Sequence, residues 1–241
     1  YATPSPLQQK AFDLENGPLF RFFILKTGVD EYYFRVSIHH IVFDGWSQGI
    51  FISDLSEIYN SLLKHKEPTL DEIKFQQYDY AQWENSIDVL KDKAGSIEYW
   101  KENLKGCSPL LNFPYDFQNV ENQSGRAKFE GVFIPESLSE KIKLISKDNN
   151  VSLFATMLSI YGILMGRYSN DDDINIGIPI AFRPHSKLEN ILGMFVNTVV
   201  MRLKYEKGVT FREIVRYTNE VVMSGIAHQD VPFETVVEMV N

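Results

Sequence analysis

The segment HHIVFDG, residues 39–45, holds the side chains best suited to chemistry. A neutral imidazole such as that of His40 can accept a proton from an attacking group, and the carboxylate of Asp44 can hold a cation and fix the local loop. Gly45 permits backbone geometry that a side chain would forbid. Neighbouring strand residues face opposite ways, so His39 and His40 are poorly placed to share a metal ion, and no third ligand lies at metal-site spacing. The spacing therefore favours one functional histidine over a metal site, with a purely structural histidine as the alternative.

The elements before and after this segment must position it. Residues 18–26 are predicted to form a strand, and residues 31–38 alternate between apolar and polar side chains, which is typical of a hairpin with a half-buried second strand. If that second strand continues, His40 keeps the parity of Ile38 and emerges at the edge of an apolar environment, where desolvation favours the neutral imidazole. A helix is predicted to follow, with Ser47 as its N-cap.

The rest of the chain alternates helices and strands around a linker. Helices are predicted at about 78–90 and 95–104, and residues 109–125, which have no clear period, are the best linker candidate. The elements predicted beyond it are a strand at 127–134, helices at 135–149 and 153–168, strands at 173–181 and 194–203, a helix at 211–226 that opens with a capping box, and a last helix after Pro232. The apolar helix at 153–168 is expected to be buried on all sides. This interleaving predicts an α/β protein with two lobes.

Composition narrows the classes of function. The chain has 241 residues, 44% of them apolar, with only 14 glycines and 10 prolines, which excludes a collagenous or disordered chain. The net charge of −8 and the absence of a basic run argue against nucleic-acid binding. The single cysteine, Cys107, cannot form an internal disulfide, which favours a reducing, cytoplasmic location and a structural thiol. No apolar stretch is long enough to predict a membrane span. The first residue, Tyr1, suggests a piece cut from a longer chain.

Four motifs in a fixed order resemble those of one enzyme family. Residues 39–47, HHIVFDGWS, resemble the HHxxxDG motif of condensation domains of nonribosomal peptide synthetases, which belong to the chloramphenicol acetyltransferase superfamily. Residues 78–83, YDYAQW, are similar to the family's YxDYAxW motif. Residues 193–198, GMFVNT, followed by Arg202, resemble GxFVNTxxxR, and residues 228–234, HQDVPFE, resemble HQDxPFE. An isolated HxxxD is common, whereas this ordered set is specific.

The resemblance implies a fold and a reaction. The fold is the α/β, chloramphenicol acetyltransferase-like two-lobed sandwich, with the functional histidine in a tunnel between the lobes. The reaction is amide formation, in which the amine of an acceptor aminoacyl thioester attacks the carbonyl of a donor acyl or peptidyl thioester. No cofactor binds directly, because donor and acceptor peptidyl carrier domains deliver both substrates on phosphopantetheine arms. An adjacent adenylation domain is the further expected partner, and nucleic acid and membrane are not.

The resemblance also assigns roles to residues. His40, the second histidine, positions or deprotonates the attacking amine, and Gly45 contributes to oxyanion or thioester binding. Asp44 supports the loop by pairing with an arginine, for which Arg183 is the best-placed partner, so a direct contact is predicted.

The remaining motif residues have supporting or structural roles. His39 is expected to be a packed, hydrogen-bonded structural residue, and Trp46 lines the motif. Asn197 has two interpretations, a tunnel-facing residue or a strand hydrogen bond. Tyr78, Trp83 and the HQDVPFE segment are expected to pack structurally.

The resemblance covers only part of the family domain. The family's two earlier motifs and the one that follows HQDxPFE have no counterpart, so residues 1–120 are predicted to be the later part of the N-terminal lobe and residues 121–241 the earlier part of the C-terminal lobe. Alternatives within the fold are a carrier-dependent O-acyltransferase or an epimerisation domain. The alternative from another class is a noncatalytic domain that recruits partner proteins, which the intact His40, Asp44 and Gly45 disfavour.

Overall fold

The computed structural model describes residues 10–86, 93–108, 110–116 and 128–240. Contacts within the chain define two compact units, Tyr1–Asp92 with Ala181–Val196 and Lys93–Ile180 with Asn197–Asn241. The predicted lobe boundary at residue 120 and most of the predicted linker lie outside the described residues, so the lobe assignment stays a prediction. The first unit therefore combines the segment that carries the two histidines with a stretch from much later in the chain.

The first unit contains the predicted hairpin. Strand β1 (Phe20–Lys26) pairs antiparallel with strand β2 (Tyr32–Ile38), and Phe20 lies opposite Ile38. The rings of Phe22 and Phe34 stack across the pair with 5.8 Å between their centroids. Both rings are nevertheless about half exposed, at 50% and 45%, so the hairpin is less buried than its alternation predicts.

The strand does not continue to His40. Strand β2 ends at Ile38, and His40–Val42 form a 3₁₀ turn. The turn begins because Nδ1 of His39 accepts the amide of Ile41 at 3.1 Å, while the amide of Val42 donates to the carbonyl of His39 at 3.2 Å. The parity argument that placed His40 in line with Ile38 is therefore wrong, since a side chain on such a turn no longer alternates.

Helix α1 (Gly45–Leu63) begins two residues earlier than predicted. Its N-cap is Asp44, whose side chain accepts the amide of Ser47 at 2.7 Å. Both residue types cap helices well, so sequence alone could not choose between them. Helix α2 (Gln77–Glu84) follows a long loop and also opens with a capping box, formed by Gln76 and Asp79.

The second unit is built from helices and a two-stranded sheet. Its helices and strands in chain order are α3 (Ala94–Leu104), α4 (Glu136–Asp148), α5 (Leu153–Ser169), β3 (Asp173–Ala181), β4 (Val196–Lys204), α6 (Phe211–Ala227) and α7 (Phe233–Val240). Strands β3 and β4 are hydrogen-bonded neighbours, and their outermost residues, Ala181 and Val196, belong to the first unit. The mixture of helices and strands in both units confirms the α/β class.

The core of the second unit surrounds β4. Val199, Met201 and Leu203 alternate along this strand and are at most 1% exposed. They pack in one cluster with Trp100, Leu104, Leu158, Val222, Val231 and Val236, and the half-buried Cys107 packs against it. Between these positions Arg202, only 5% exposed, pairs with Asp173 at 2.6 Å and donates to the carbonyls of Asn103 and Lys105. The arginine of the third motif therefore ties α3 to the sheet.

Two predictions for the second unit are wrong. The described residues 128–134 of the predicted strand are irregular, with Phe129 93% and Val132 94% exposed, because no described strand pairs with them. Helix α5 is not buried on all sides, because its side chains at Phe154, Tyr161 and Leu164 are 45–49% exposed.

Among the described residues, no single helix combines the length and apolar composition needed to cross a membrane. Helices α4 and α5 meet that requirement only as a pair, and they are bent by 110° at their break.

Candidate active site

A buried ion pair lies next to the two histidines in sequence. Arg183 Nη2 lies 3.2 Å from Asp44 Oδ1 and 3.4 Å from Asp44 Oδ2. The arginine and aspartate side chains are 3% and 1% exposed. The predicted contact is thus present, and both residues belong to the first unit. A buried pair of this kind does not tolerate loss of one partner, because the other charge would be stranded.

Asp44 is held by backbone groups as well as by the arginine. Its Oδ1 accepts the amide of Ser47 at 2.7 Å, its Oδ2 accepts the amide of Phe195 at 3.1 Å, and its own amide donates to the carbonyl of Gly193 at 3.2 Å. Burial alone would raise the pKa of Asp44, but the hydrogen bonds from Ser47 and Phe195 and the charge of Arg183 together hold the pKa below its ordinary value. Asp44 is therefore a charged anchor and not a proton donor at neutral pH.

Arg183 uses its other donors on the loop that precedes β4. Its Nη1 donates to the carbonyl of Ile191 at 2.8 Å and to the carbonyl of Leu188. Its guanidinium carbon lies 4.3 Å from the centroid of the Phe195 ring, within cation–π range. Burial lowers the pKa of Arg183 and the Asp44 charge opposes that shift, yet a guanidinium stays protonated in proteins. The arginine thus joins the HHxxxDG motif to the loop at 188–191.

Ser47 makes a second link to the same loop. Its hydroxyl donates to the carbonyl of Gly193 at 2.9 Å and accepts the amide of Gly193 at 3.0 Å and Nη2 of Arg183 at 3.3 Å. The residue is completely buried. One donor and two acceptor positions are all that a hydroxyl offers, so its capacity is fully used.

The two histidines have different surroundings. His39 is half-buried, donates its amide to the carbonyl of Leu19 at 2.8 Å and places its ring edge-on to Phe12, with 5.8 Å between the centroids. It occupies the packed, hydrogen-bonded position predicted for it. His40 is exposed, and no hydrogen bond joins its imidazole to another described residue. The apolar environment expected around His40 is therefore absent among the described residues, while the backbone on both sides of it is anchored.

Gly45 and Trp46 form the first turn of α1. The amide of Gly45 belongs to the helix N-terminus, where the first amides have no intrahelical acceptor. A Cβ added at Gly45 would meet nothing within 4 Å, so packing does not demand a glycine there. The indole of Trp46 is about half exposed and donates to the carbonyl of Glu189 at 2.9 Å. These residues border an open groove of about 840 Å³ along α1, whose described lining does not include His40.

Asn197 joins two of the motifs in the second unit. Its Nδ2 donates to the carbonyls of Gln229 and Val231, each at 2.8 Å, and its Oδ1 accepts the amides of Thr198 at 2.8 Å and Phe233 at 3.1 Å. The side chain thereby fixes the HQDVPFE segment against the start of β4. This satisfied amide matches the hydrogen-bonding interpretation of Asn197, although the partner is a loop and not the neighbouring strand.

The histidine of the HQDVPFE segment is packed. The rings of His228 and Tyr99 stack with 3.8 Å between centroids and an interplanar angle of 4°. His228 Nδ1 lies 2.8 Å from the carbonyl of Ser224, and the indole of Trp100 donates to the carbonyl of His228 at 2.8 Å. These contacts give His228 the structural surroundings expected of it.

The second motif and the residue before it make contacts that sequence reasoning missed. Gln77 Nε2 donates to the carbonyl of Met194 at 3.0 Å, and the ring of Tyr80 lies 5.3 Å from that of Phe195. Burial first, and Glu84 second, raise the pKa of Tyr80, so its phenol stays neutral. Tyr78, to which packing was assigned, is 70% exposed. The tyrosine that packs is thus the one inside the motif.

Within the described ranges, no group of three or more His, Cys, Asp or Glu side chains is arranged to hold a metal ion. The arrangement offers an exposed imidazole on a short turn, a helix N-terminus five residues later and a buried ion pair between turn and loop. Such a site can accept a proton or orient an attacking group without a resident cofactor.

Solved structures define the class of fold. A four-domain nonribosomal peptide synthetase bound to AMP and glycine matches with a TM-score of 0.83 and 29% identity, covering 97% of this chain and 18% of that one. The X-domain from teicoplanin biosynthesis matches with a TM-score of 0.86 at 22% identity, over 97% of this chain and 53% of that one, which shows the fold alone. The fold is the predicted chloramphenicol acetyltransferase-like α/β fold of condensation domains. Residues 4–241 match the sequence profile of the Condensation domain family, and the chain belongs to that family.

The curated relatives are large synthetases. The chain is 35% identical over 227 residues to a linear gramicidin synthase of Brevibacillus parabrevis, covering 94% of this chain and 4% of that protein. It is 35% identical over 234 residues to malpinin synthetase of Mortierella alpina, covering 96% of this chain and 3% of the relative. The chain therefore spans a few per cent of the length of these relatives.

Proposed function

We propose that this chain carries the condensation chemistry of a nonribosomal peptide synthetase, forming an amide between two carrier-bound thioesters. The observation that carries the proposal is the buried Asp44–Arg183 pair, which anchors the end of the HHxxxDG turn in a member of the Condensation domain family. A pair so deeply buried costs desolvation, and fixing the position of a functional turn is a reason to retain it.

In the proposed reaction the acceptor amine attacks the donor thioester carbonyl. A carbon–nitrogen bond forms, the tetrahedral intermediate collapses, and the carbon–sulfur bond breaks to release the donor's carrier thiol. His40 accepts a hydrogen bond or a proton from the amine, and the proton leaves with the thiolate, so the enzyme ends the cycle unchanged. The amide of Gly45 stabilises the oxyanion or the thioester, since it lies at a helix N-terminus with no intrahelical acceptor. Trp46 and Asn197 support this site by fixing loops.

The proposed partners follow from the substrates. Both thioesters are delivered on the phosphopantetheine arms of donor and acceptor peptidyl carrier domains, and an adjacent adenylation domain loads one of them. Support comes from the relatives, which are named as peptide synthases or synthetases, among them bacitracin synthase 3 of Bacillus licheniformis. The cytoplasmic location stays a prediction.

The decisive experiment compares His40→Asn with His65→Asn in the whole protein that contains this chain. His65 is an exposed histidine after α1 whose φ of 50° asparagine also tolerates, so the control makes the same chemical change away from the motif. With loaded donor and acceptor carriers, we expect His40→Asn to lower amide formation about 10²- to 10⁴-fold and His65→Asn to leave it unchanged.

Each other outcome points to a different function. Equal rates for wild type and His40→Asn would contradict the role of His40. Ester formation from a hydroxyl acceptor in place of amide formation would identify an O-acyltransferase, and inversion of the donor without transfer would identify an epimerisation domain. A wild-type protein that forms no product with any carrier pair would support a noncatalytic, partner-recruiting domain.

A further inference from the structure

We infer that Ser47 is a positioning residue of the condensation site, acting through its hydroxyl on the turn that carries His40. This inference rests on the proposed function and adds to it a residue with no role of its own in the resemblance. Three observations lead to it: the burial of Ser47, its reciprocal bonding with Gly193, and the anchoring of the turn at one end only by strand pairing.

The turn is held differently at its two ends. At its start, His39 donates to the carbonyl of Leu19 at 2.8 Å, as an extension of the pairing between β1 and β2. At its end, no strand continues, and the chain enters α1 through Asp44. The position of the exposed His40 imidazole therefore depends on how firmly Asp44 and the first turn of α1 are held.

Ser47 holds that first turn to the loop through one atom. Its oxygen lies 2.9 Å from the carbonyl oxygen and 3.0 Å from the amide nitrogen of Gly193, so a single hydroxyl pairs with both polar groups of one residue. Asp44 reaches the same glycine, since its amide donates to that carbonyl at 3.2 Å. The pairing sets the register between residues 44–47 and residues 193–195 in the same way that a strand pair would set it.

Only a small hydroxyl side chain fits this position. The residue is fully buried, and its hydroxyl also accepts Nη2 of Arg183 at 3.3 Å. Alanine would leave the buried amide of Gly193 without an acceptor and would remove one of the contacts that fix Arg183. The Asp44–Arg183 pair would remain, so the expected damage is a small shift of the turn and not its collapse.

The kinetic consequence is specific to a positioning role. A shift of the order of 1 Å in a group that orients the attacking amine can cost about 10²-fold in rate, while the carriers dock elsewhere on the surface. For Ser47→Ala we expect kcat to fall about 10- to 100-fold and the KM values for both carrier substrates to stay within about twofold. Ser47→Thr keeps the hydroxyl and is expected to recover most of the rate.

The test uses the whole protein with loaded carriers and a matched control on the same helix. Ser56 is exposed, and its hydroxyl bonds only to the carbonyl of Ile52 within α1 at 2.7 Å, so Ser56→Ala removes the same oxygen without touching the loop. Each variant is assayed at a temperature where its far-ultraviolet circular dichroism matches wild type. Hydrogen exchange of the Gly193 amide should accelerate in Ser47→Ala and stay unchanged in Ser56→Ala.

The outcomes separate this inference from the proposed function. If wild type makes no amide, the proposed function fails, whereas faster exchange at Gly193 still shows the structural link. If wild type is active and folded Ser47→Ala keeps a wild-type kcat, the positioning role is wrong and Ser47 only stabilises the fold. A raised KM with unchanged kcat would also overturn the inference, because it would place Ser47 in carrier binding. If Ser47→Ala does not fold, Ser47→Thr decides: a wild-type kcat supports the role of the hydroxyl, and a loss as deep as that of His40→Asn contradicts it.

Discussion

Replacement of Asp44 by asparagine tests the structural basis of the site most directly. The change keeps the shape of the side chain and removes its charge, so the buried Arg183 loses its counter-ion. The two oxygens of Asp44 accept two different backbone amides, those of Ser47 at 2.7 Å and Phe195 at 3.1 Å. Asparagine has one acceptor oxygen, so whichever way it turns, its NH₂ group faces one of these donors.

The expected magnitude follows from this geometry. Removing one partner of a buried pair costs about 3–5 kcal/mol. That range includes the buried backbone amide left without an acceptor, which by itself costs about 1–3 kcal/mol. Asn caps helices as well as Asp does, so loss of the cap adds little. We expect the segment around Asp44 to open with a free energy about 3–5 kcal/mol lower than in wild type.

Hydrogen exchange measures this locally, even in a protein of many domains. Where reclosing is faster than exchange, a loss of about 3–5 kcal/mol accelerates exchange of the Ser47 and Phe195 amides by about 10²-fold or more. Amides of α6, which lies in the second unit, provide the internal control and should not change. As a matched charge control, Glu140→Gln removes a partner from the exposed Lys143–Glu140 pair and should cost about 0.5 kcal/mol or less.

Two results would refute the reasoning. An acceleration below about tenfold at Ser47 and Phe195, equivalent to less than about 1.4 kcal/mol, would mean that the pair contributes no more than a surface contact. A double variant, Asp44→Asn with Arg183→Leu, leaves no charge stranded and should cost less than the two single variants added together. Strict additivity would show that the two groups do not interact.

The same geometry makes two further predictions. Because the folded-state pKa of Asp44 lies below its unfolded value, its charge contributes stability above about pH 3.9, and this is lost as pH falls from there through the folded pKa. The difference between wild type and Asp44→Asn in urea unfolding should therefore be constant from about pH 7 to 5 and shrink below about pH 4; a difference that grows on acidification would contradict this sign. Gly193→Ala would place a Cβ 2.7 Å from a Phe195 ring carbon and 3.0 Å from Gln77 Oε1, so we expect a loss of about 1–3 kcal/mol by thermal unfolding. Gly95→Ala, where a Cβ meets nothing within 4 Å in α3, should not destabilise, and equal effects at both glycines would show that close packing is not the cause.

Local patterns predicted the elements better than their environment. The period-two alternation located β2 to within one residue, and the capping box at Thr210 located the start of α6. The exposure of the β1–β2 face and of α5 could not be read from periodicity, because burial depends on what packs against a face and not on its pattern. The strand predicted at 127–134 failed for the same reason, since a strand needs a partner for its backbone groups.

The site itself was only partly predictable. The family pattern led to Asp44 and Arg183, and their contact is present. Ser47 looked like a simple N-cap because serine caps helices so often, yet its hydroxyl bonds to a residue 146 positions away. No local period encodes such a contact. A usable indication did exist, since a polar residue within a motif that has no need of it as a cap is a candidate for a buried hydrogen bond.

The loop between β3 and β4 explains why polar residues recur in these motifs. A segment without a strand partner must satisfy its backbone carbonyls in other ways when it packs against the rest of a unit. Here side-chain donors do so, with Arg183 serving Leu188 and Ile191, Trp46 serving Glu189, Ser47 serving Gly193 and Gln77 serving Met194. Two of these donors lie in the first motif and another directly precedes the second, while their acceptors run into the third. The motifs therefore specify one hydrogen-bonded loop, and its rigidity fixes the end of the turn that carries His40.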